Sequence, residues 1–361
     1  MRSVMPADPL SDLSLDEIEA RAVPLLDPGV LAYYAGGAGE ERTVADNRAA
    51  WGRRRPVPRV LTGTGTASTR GELLGAPLEL PVLAAPTALH AIAHPGGEAA
   101  TARACAAAGT VMVLSMMGSA RPAAIARAAP EGRRWLQLYV LRDRGATDAL
   151  VDEAVAHGFE ALVVTVDTPI MGMRPREERS PFALPPGVEQ PVVGDAAART
   201  GVAPERFFAD LVDPALGWDD LEALVARAPL PVLVKGIHHP DDARRAVDAG
   251  AAGVIVSNHG GRQLDGVPAT ADLLGPAVAA VGGRVPVLVD GGIRRGIDVC
   301  VALALGADAV LVGRPVLYGL AAGGQAGVEA VLDRLRRELA GALVLLGCGD
   351  LAAARGITLW S

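Results

Sequence analysis

The chain has 361 residues, half of them hydrophobic, with a formal net charge of −7 and a pI of about 5.5. An acidic balance without a basic stripe argues against a nucleic-acid partner, and no apolar run is long enough to span a bilayer. Cys105, Cys300 and Cys348 form no C-x-x-C pair and sit in apolar runs. Together with an N-terminus that lacks an apolar leader, they read as buried thiols of a cytoplasmic protein.

Residues 1–75 read as an N-terminal extension with a helical segment around "LDEIEARAVPLL". Short apolar runs then recur, each closing on a polar residue or glycine: "LPVLAAP" (80–86), "TVMVLS" (110–115), "WLQLY" (135–139), "ALVVTVD" (161–167), "PVLVKG" (231–236), "GVIVSN" (253–258), "VPVLVDG" (285–291) and "AVLVGR" (309–314). Runs of this kind are strands buried on both faces, hence parallel strands. Ala-rich helical patterns such as "EAATARACAAAG" and "GIDVCVALALGA" separate them. Eight strands alternating with helices predict an α/β fold, a (β/α)8 (TIM) barrel over 76–361 as a single domain. A doubly wound sheet is the alternative, but no G-x-G-x-x-G opens a helix after the first strand. Residues 170–216, rich in Pro, Arg, Glu and Gly, read as a long lid-like loop after strand four, disordered in part.

A barrel carries its chemistry at the C-terminal strand ends. In chain order these are Pro86, Thr87 and Ala88; Ser115 with Met116 and Met117; Gln137 and Tyr139; Thr165 and Asp167, with Arg174 soon after; Lys235; Ser257, Asn258, His259 and Arg262; Asp290, Gly291, Gly292 and Arg294; and Gly313 with Arg314. Glycines and arginines after strands seven and eight suit a phosphate. Arg174 and Arg262 suit a small carboxylate, with Tyr33 and Tyr139 as neutral donors. His259 and Asp167, at nearby strand ends, suit a general base and the carboxylate that fixes its tautomer. Lys235 is the single Lys among 34 basic residues. In a chain where Arg has replaced every other Lys, it marks an enclosed site that needs a compact ammonium. His90, His94, His238 and His239 have no further ligands at metal spacing, so no metal site is expected.

The stretch "SNHGGRQLDG" (257–266) resembles the active-site signature of the FMN-dependent 2-hydroxy acid oxidases and dehydrogenases, the glycolate and lactate oxidase family. "YYAGGAGEERTVADNR" (33–48), "APTALHAIAHPGGE" (85–98), "QLYVLRDR" (137–144), "TVDTPIMGMR" (165–174), "LVKG" (233–236), "DGGIRRGIDV" (290–299) and "GRPVLYGLA" (313–321) extend the likeness over nearly the whole chain. The resemblance implies a barrel with FMN at its mouth. Pro86, Thr87, Ala88, Ser115, Gln137, Thr165, Lys235 and Ser257 would hold the ring and ribityl parts. Asp290, Gly291, Gly292, Arg294, Gly313 and Arg314 would hold the ribityl phosphate. It makes His259 the base, Asp167 its partner, and Tyr33, Tyr139, Arg174 and Arg262 the substrate ligands, with Lys235 stabilising charge on the reduced flavin. Met117 stands where plant glycolate oxidases carry Trp, which implies a substrate larger than glycolate, aliphatic or aryl.

The implied reaction oxidises an (S)-2-hydroxy acid to the 2-oxo acid. O2 is the expected acceptor, giving H2O2, because 170–216 has no long amphipathic anchor and no haem domain precedes the barrel. A dehydrogenase with another acceptor and a decarboxylating, lactate-monooxygenase-like variant are the alternatives. The catalytic set argues against a non-redox isomerase or an inert scaffold. The resemblance also implies a homo-oligomer, a tetramer or octamer.

Overall fold

The computed structural model describes residues 10–360; the first nine residues of the expected extension, and residue 361, lie outside it. Eight parallel strands close into a barrel: β1 (Val82–Ala84), β2 (Val111–Ser115), β3 (Arg133–Leu138), β4 (Ala161–Thr165), β5 (Val232–Ile237), β6 (Gly253–Val256), β7 (Val287–Val289) and β8 (Ala309–Val312). Each falls within one of the eight apolar runs or overlaps it. The barrel closes where Val310 and Val312 of β8 pair with Val82 and Ala84 of β1.

The strand period of two sorts these residues into an inner and an outer set. Leu83, Val113, Trp135, Val163, Leu233, Ile255, Leu288 and Leu311 fill the interior. Their neighbours Met112, Leu136, Val164, Val234, Val254 and Val310 pack outward against the helices. A hairpin of Gly71–Leu73 and Ala76–Leu78 lies beneath, and its Leu73 and Leu78 plug the floor of the interior. Its turn, Leu74–Gly75, has φ of +54° and +74° and sits where the extension passes into the barrel.

Advancing two residues up each inner row reaches Ala85, Ser115, Gln137, Thr165, Lys235, Ser257, Asp290 and Gly313, polar at six of the eight strands. The same alternation that packs the core therefore delivers a polar ring at the mouth.

The extension holds α1 (Leu15–Ala22), α2 (Pro28–Ala35) and α3 (Arg42–Arg53). Helix α1 starts on a capping box between Ser14 and Glu17. Asp27 caps α2, with Pro28 in the first turn. Both α2 and α3 lie against the catalytic mouth.

The connection expected as a loop carries regular structure: α-helices Pro175–Arg179 and Pro191–Thr200, a 3-10 turn Pro204–Arg206 and a π-helical turn Phe207–Leu211. Val192, Val193, Ala196 and Ala197 are buried on one helical face, which gives the second helix its reason to fold. Leu141 bridges Val212, tying the end of the segment to the end of β3. No helix among the described residues is long and apolar enough to cross a membrane. The three cysteines are free and buried.

Candidate active site

The polar ring is wired across strands. Ser115 Oγ donates to Gln137 Oε1 at 2.9 Å, and Gln137 Nε2 donates to Thr165 Oγ1 at 3.1 Å. Lys235 Nζ donates to Ser257 Oγ at 2.9 Å and pairs with Asp290 at 3.2 Å. Just after Lys235 the β5–β6 pairing slips at Gly236, where φ is +108°. A side chain at 236 would put its Cβ 2.6 Å from Asp167 Cβ, so the bulge and the glycine together make room for Asp167.

The turn after β6 is the most constrained part of the site. His259, Gly260 and Gly261 all have positive φ, at +56°, +63° and +76°. Ser257 Oγ accepts the His259 amide at 3.1 Å, and Asn258 Oδ1 accepts the Gly261 amide at 3.2 Å. Asn258 also exchanges two side-chain bonds of 2.8 Å with Asn47 of α3.

His259 Nδ1 lies 2.9 Å from Asp167 Oδ1, which also accepts Thr168 Oγ1 at 3.0 Å. Burial pushes the Asp167 carboxyl up, but the imidazole beside it and Lys235 outweigh burial and hold it at about 2. Burial lowers His259 below its ordinary value; Asp167 opposes this, while Lys235 and Arg174 add to it. At neutral pH the pair is thus carboxylate and neutral imidazole. The proton sits on Nδ1, and Nε2 is left with a lone pair.

Arg174 and Arg262 are both largely buried. Arg174 Nε donates to the Arg262 carbonyl at 3.0 Å. Arg262 donates to the carbonyls of Tyr33 and, at 3.0 Å, Gly36, and its guanidinium lies 5.0 Å from the Tyr33 ring centre. The two oxygens of Glu177 reach one to each arginine, at 3.4 and 3.5 Å. Burial, then the charge of Arg174, lowers Arg262. Two like charges held this close favour an incoming anion.

At the β7 and β8 ends, Gly291 and Gly292 have φ of +96° and +83°. A Cβ on Gly292 would fall 1.9 Å from the Asn47 carbonyl. Arg294 is buried with Nε unpartnered, and burial and Arg48 lower it. Arg314 is pushed to about 9 by burial, then by Arg262 and Arg294. It donates to the carbonyls of Tyr34, Gly260 and Gly36 at 2.9, 2.9 and 2.8 Å, so its guanidinium ties the end of α2 to the His259 turn. Buried guanidiniums beside open glycine amides are a cradle for a phosphate dianion.

One cavity collects these groups. Of the strand-end residues named from the sequence, all line it except Met116, Asp167, Ser257 and Asn258; Asp167 and Ser257 stand directly behind His259 and Lys235. Phe208, Met171 and Leu317 line it as well and were not anticipated. Phe208 sits 5.1 Å from the Tyr139 ring, edge to face. Its signal, an aromatic pair in an otherwise aromatic-poor segment, lay in the sequence without a partner to give it meaning. Asn47, Glu177 and Trp51, whose Nε1 donates to the Gly291 carbonyl at 2.8 Å, also escaped notice.

The profile of the FMN-dependent dehydrogenase family matches residues 22–360. The chain belongs to that family. An L-lactate oxidase of Nostoc sp. is 46% identical over 94% of this chain and 96% of its own length. Human 2-hydroxyacid oxidase 1 is 42% identical over 94% of both chains. A crystal structure of mandelate oxidase superposes with a TM-score of 0.88 at 44% identity, covering 96% of this chain and 98% of that one. Membership makes FMN the cofactor and the protein an oxidoreductase acting on CH–OH donors, of the 2-hydroxy acid oxidase group. The cavity fits that cofactor: a polar ring of donors and acceptors at one end, and a glycine cradle with the unpartnered Nε of Arg294 at the other.

Proposed function

We propose that the chain oxidises an (S)-2-hydroxy acid larger than glycolate to its 2-oxo acid, with O2 as electron acceptor and H2O2 as product. The observation that carries this is the 2.9 Å His259–Asp167 pair sharing one cavity with Arg174, Arg262 and Lys235.

Arg174 and Arg262 take the substrate carboxylate, each charged bond contributing roughly 1.5–3 kcal/mol. Tyr33 and Tyr139 orient the C2 oxygen. His259 Nε2 removes a proton from the substrate, and ionised Asp167 stabilises the imidazolium that forms. FMN supplies the two-electron acceptor when bound. Gln137, Ser115 and Thr165 suit its ring, and the Gly291–Gly292 turn with Arg294 suits its phosphate. Lys235, held by Ser257 and Asp290, is poised to stabilise negative charge that develops on reduction.

Met117, Met171 and Phe208 give the substrate side of the cavity an apolar wall, two of them flexible thioethers, which supports an aliphatic or aryl C2 substituent. The names of the relatives, lactate, 2-hydroxyacid and mandelate oxidases, support O2. The test is anaerobic bleaching of the purified yellow protein by (S)-lactate, 2-hydroxyoctanoate, (S)-mandelate and glycolate, then reoxidation in air with peroxide assayed. Glycolate reducing it fastest would overturn the substrate reading. Reoxidation by dyes but not by air would overturn the acceptor.

A further inference from the structure

A second cavity of about 260 Å³ lies beside the first, between the ends of β3, β4 and β5 and the helix Trp218–Arg227. The two share Tyr139, Thr165 and Thr168 in their linings, so they adjoin at these residues. Val140, Val212, Leu216, Trp218, Val234 and Ile237 give it an apolar side, and Tyr139, Thr165, Thr168, Asp213 and Asp242 add polar groups to its wall. The charged side chains in its lining are two carboxylates, Asp213 and Asp242, with Arg144 on Asp213 at 2.6 Å from outside the lining. No Arg or Lys lines it, whereas the first cavity is lined by Lys235, Arg174, Arg262, Arg294 and Arg314.

We propose that this cavity is the route by which dioxygen reaches the reduced active site, a door for the neutral reactant separate from the cationic door for the carboxylate. The inference rests on O2 being the acceptor, as argued above. A cavity without cations and with two carboxylates gives a 2-hydroxy or 2-oxo acid anion no charge to pair with, while its apolar side of Leu216, Val234 and Ile237 admits a small neutral gas. The geometry also removes a conflict: a 2-oxo acid held by Arg174 and Arg262 blocks the substrate side until it leaves. The step balances as R–CH(OH)–COO⁻ + O2 → R–CO–COO⁻ + H2O2. The two electrons and two protons lost by the substrate are those that dioxygen gains.

The test has two arms on the FMN-loaded protein. Crystals of the wild type under xenon pressure should show xenon between Leu216, Val234 and Ile237; a cavity that takes none overturns the route. Separately, Leu216→Trp and Ile237→Phe fill the cavity away from the substrate. After anaerobic reduction by substrate, their second-order rate constants for reoxidation by O2 should fall at least fivefold. Reduction by substrate and reoxidation by dichlorophenolindophenol should stay within twofold of wild type. Filled variants that O2 reoxidises at the wild-type rate overturn the route alone. A wild type that the dye reoxidises but O2 does not overturns the acceptor, and the route with it.

Discussion

At His259 the backbone takes φ +56°, a region that costs a non-glycine residue about 1–2 kcal/mol, and two glycines follow it there. The position persists because Ser257, Asn258 and Arg314 bond the turn from three directions. The result aims the imidazole at the cavity with Asp167 on its far nitrogen. His259→Ala should keep the flavin and slow anaerobic reduction by substrate by about 10²–10⁴-fold, measured by stopped flow. The pH dependence has a definite sign. The base works as neutral imidazole, and burial lowers its pKa, so the acid limb of kcat/KM should fall below pH 6.5, the ordinary value. A limb above 7 would mean that Asp167 outweighs burial. Asp167→Asn removes the carboxylate whose charge and hydrogen bond raise the His259 pKa, so it should move the limb further down while slowing reduction by a similar factor. That split distinguishes a charged partner from a merely structural one.

On the scale of elements, β5 couples fold to chemistry. Its bulge turns one side of the strand into a seat for Asp167, and Gly236 has no space for a methyl group there. Gly236→Ala should therefore displace Asp167, lower Tm by several degrees and cut the reduction rate by more than tenfold, read by calorimetry and stopped flow on the same sample. The strands themselves were legible because a barrel strand is buried on both faces and writes a continuous apolar run. The polar ring was legible because it continues each run. The helices inside 170–216 were not, since Pro and Gly break the pattern and their buried stripe of Val192, Val193, Ala196 and Ala197 is short. Nor was the mutual bonding of Asn47 and Asn258, because nothing local marks an amide whose partner lies 211 residues away. Glu177 reads in sequence as one more charge in a lid-like loop; only the fold places it between two arginines.

For the molecule as a whole, the cofactor cavity is a stabilising linkage. It draws on strands around the whole barrel and on α2, with α3 bracing its rim through Asn47 and Trp51, so FMN should raise the stability of all of it at once. Removing FMN should lower Tm, and adding it back should raise Tm with concentration, the gain in unfolding free energy reaching about 2.7 kcal/mol at a hundredfold excess over Kd. Riboflavin, which lacks the phosphate that the Gly291–Gly292 turn and Arg294 suit, should recover only part of the shift. Equal recovery would remove the phosphate from the cradle.

The bracing of the mouth by α3 also sets a schedule for biosynthesis. Asn47 meets Asn258, and Trp51 meets the Gly291 carbonyl 240 residues later in the chain. At about 5–20 residues per second, the ribosome has passed Asn47 by roughly 10–40 s before its partner is made. Helix α3 must wait undocked while most of the barrel emerges, and the first strand finds its neighbour β8 later still. A nascent chain should consequently stay colourless until nearly all of it has been translated, because the cavity that holds FMN is incomplete until β8 emerges.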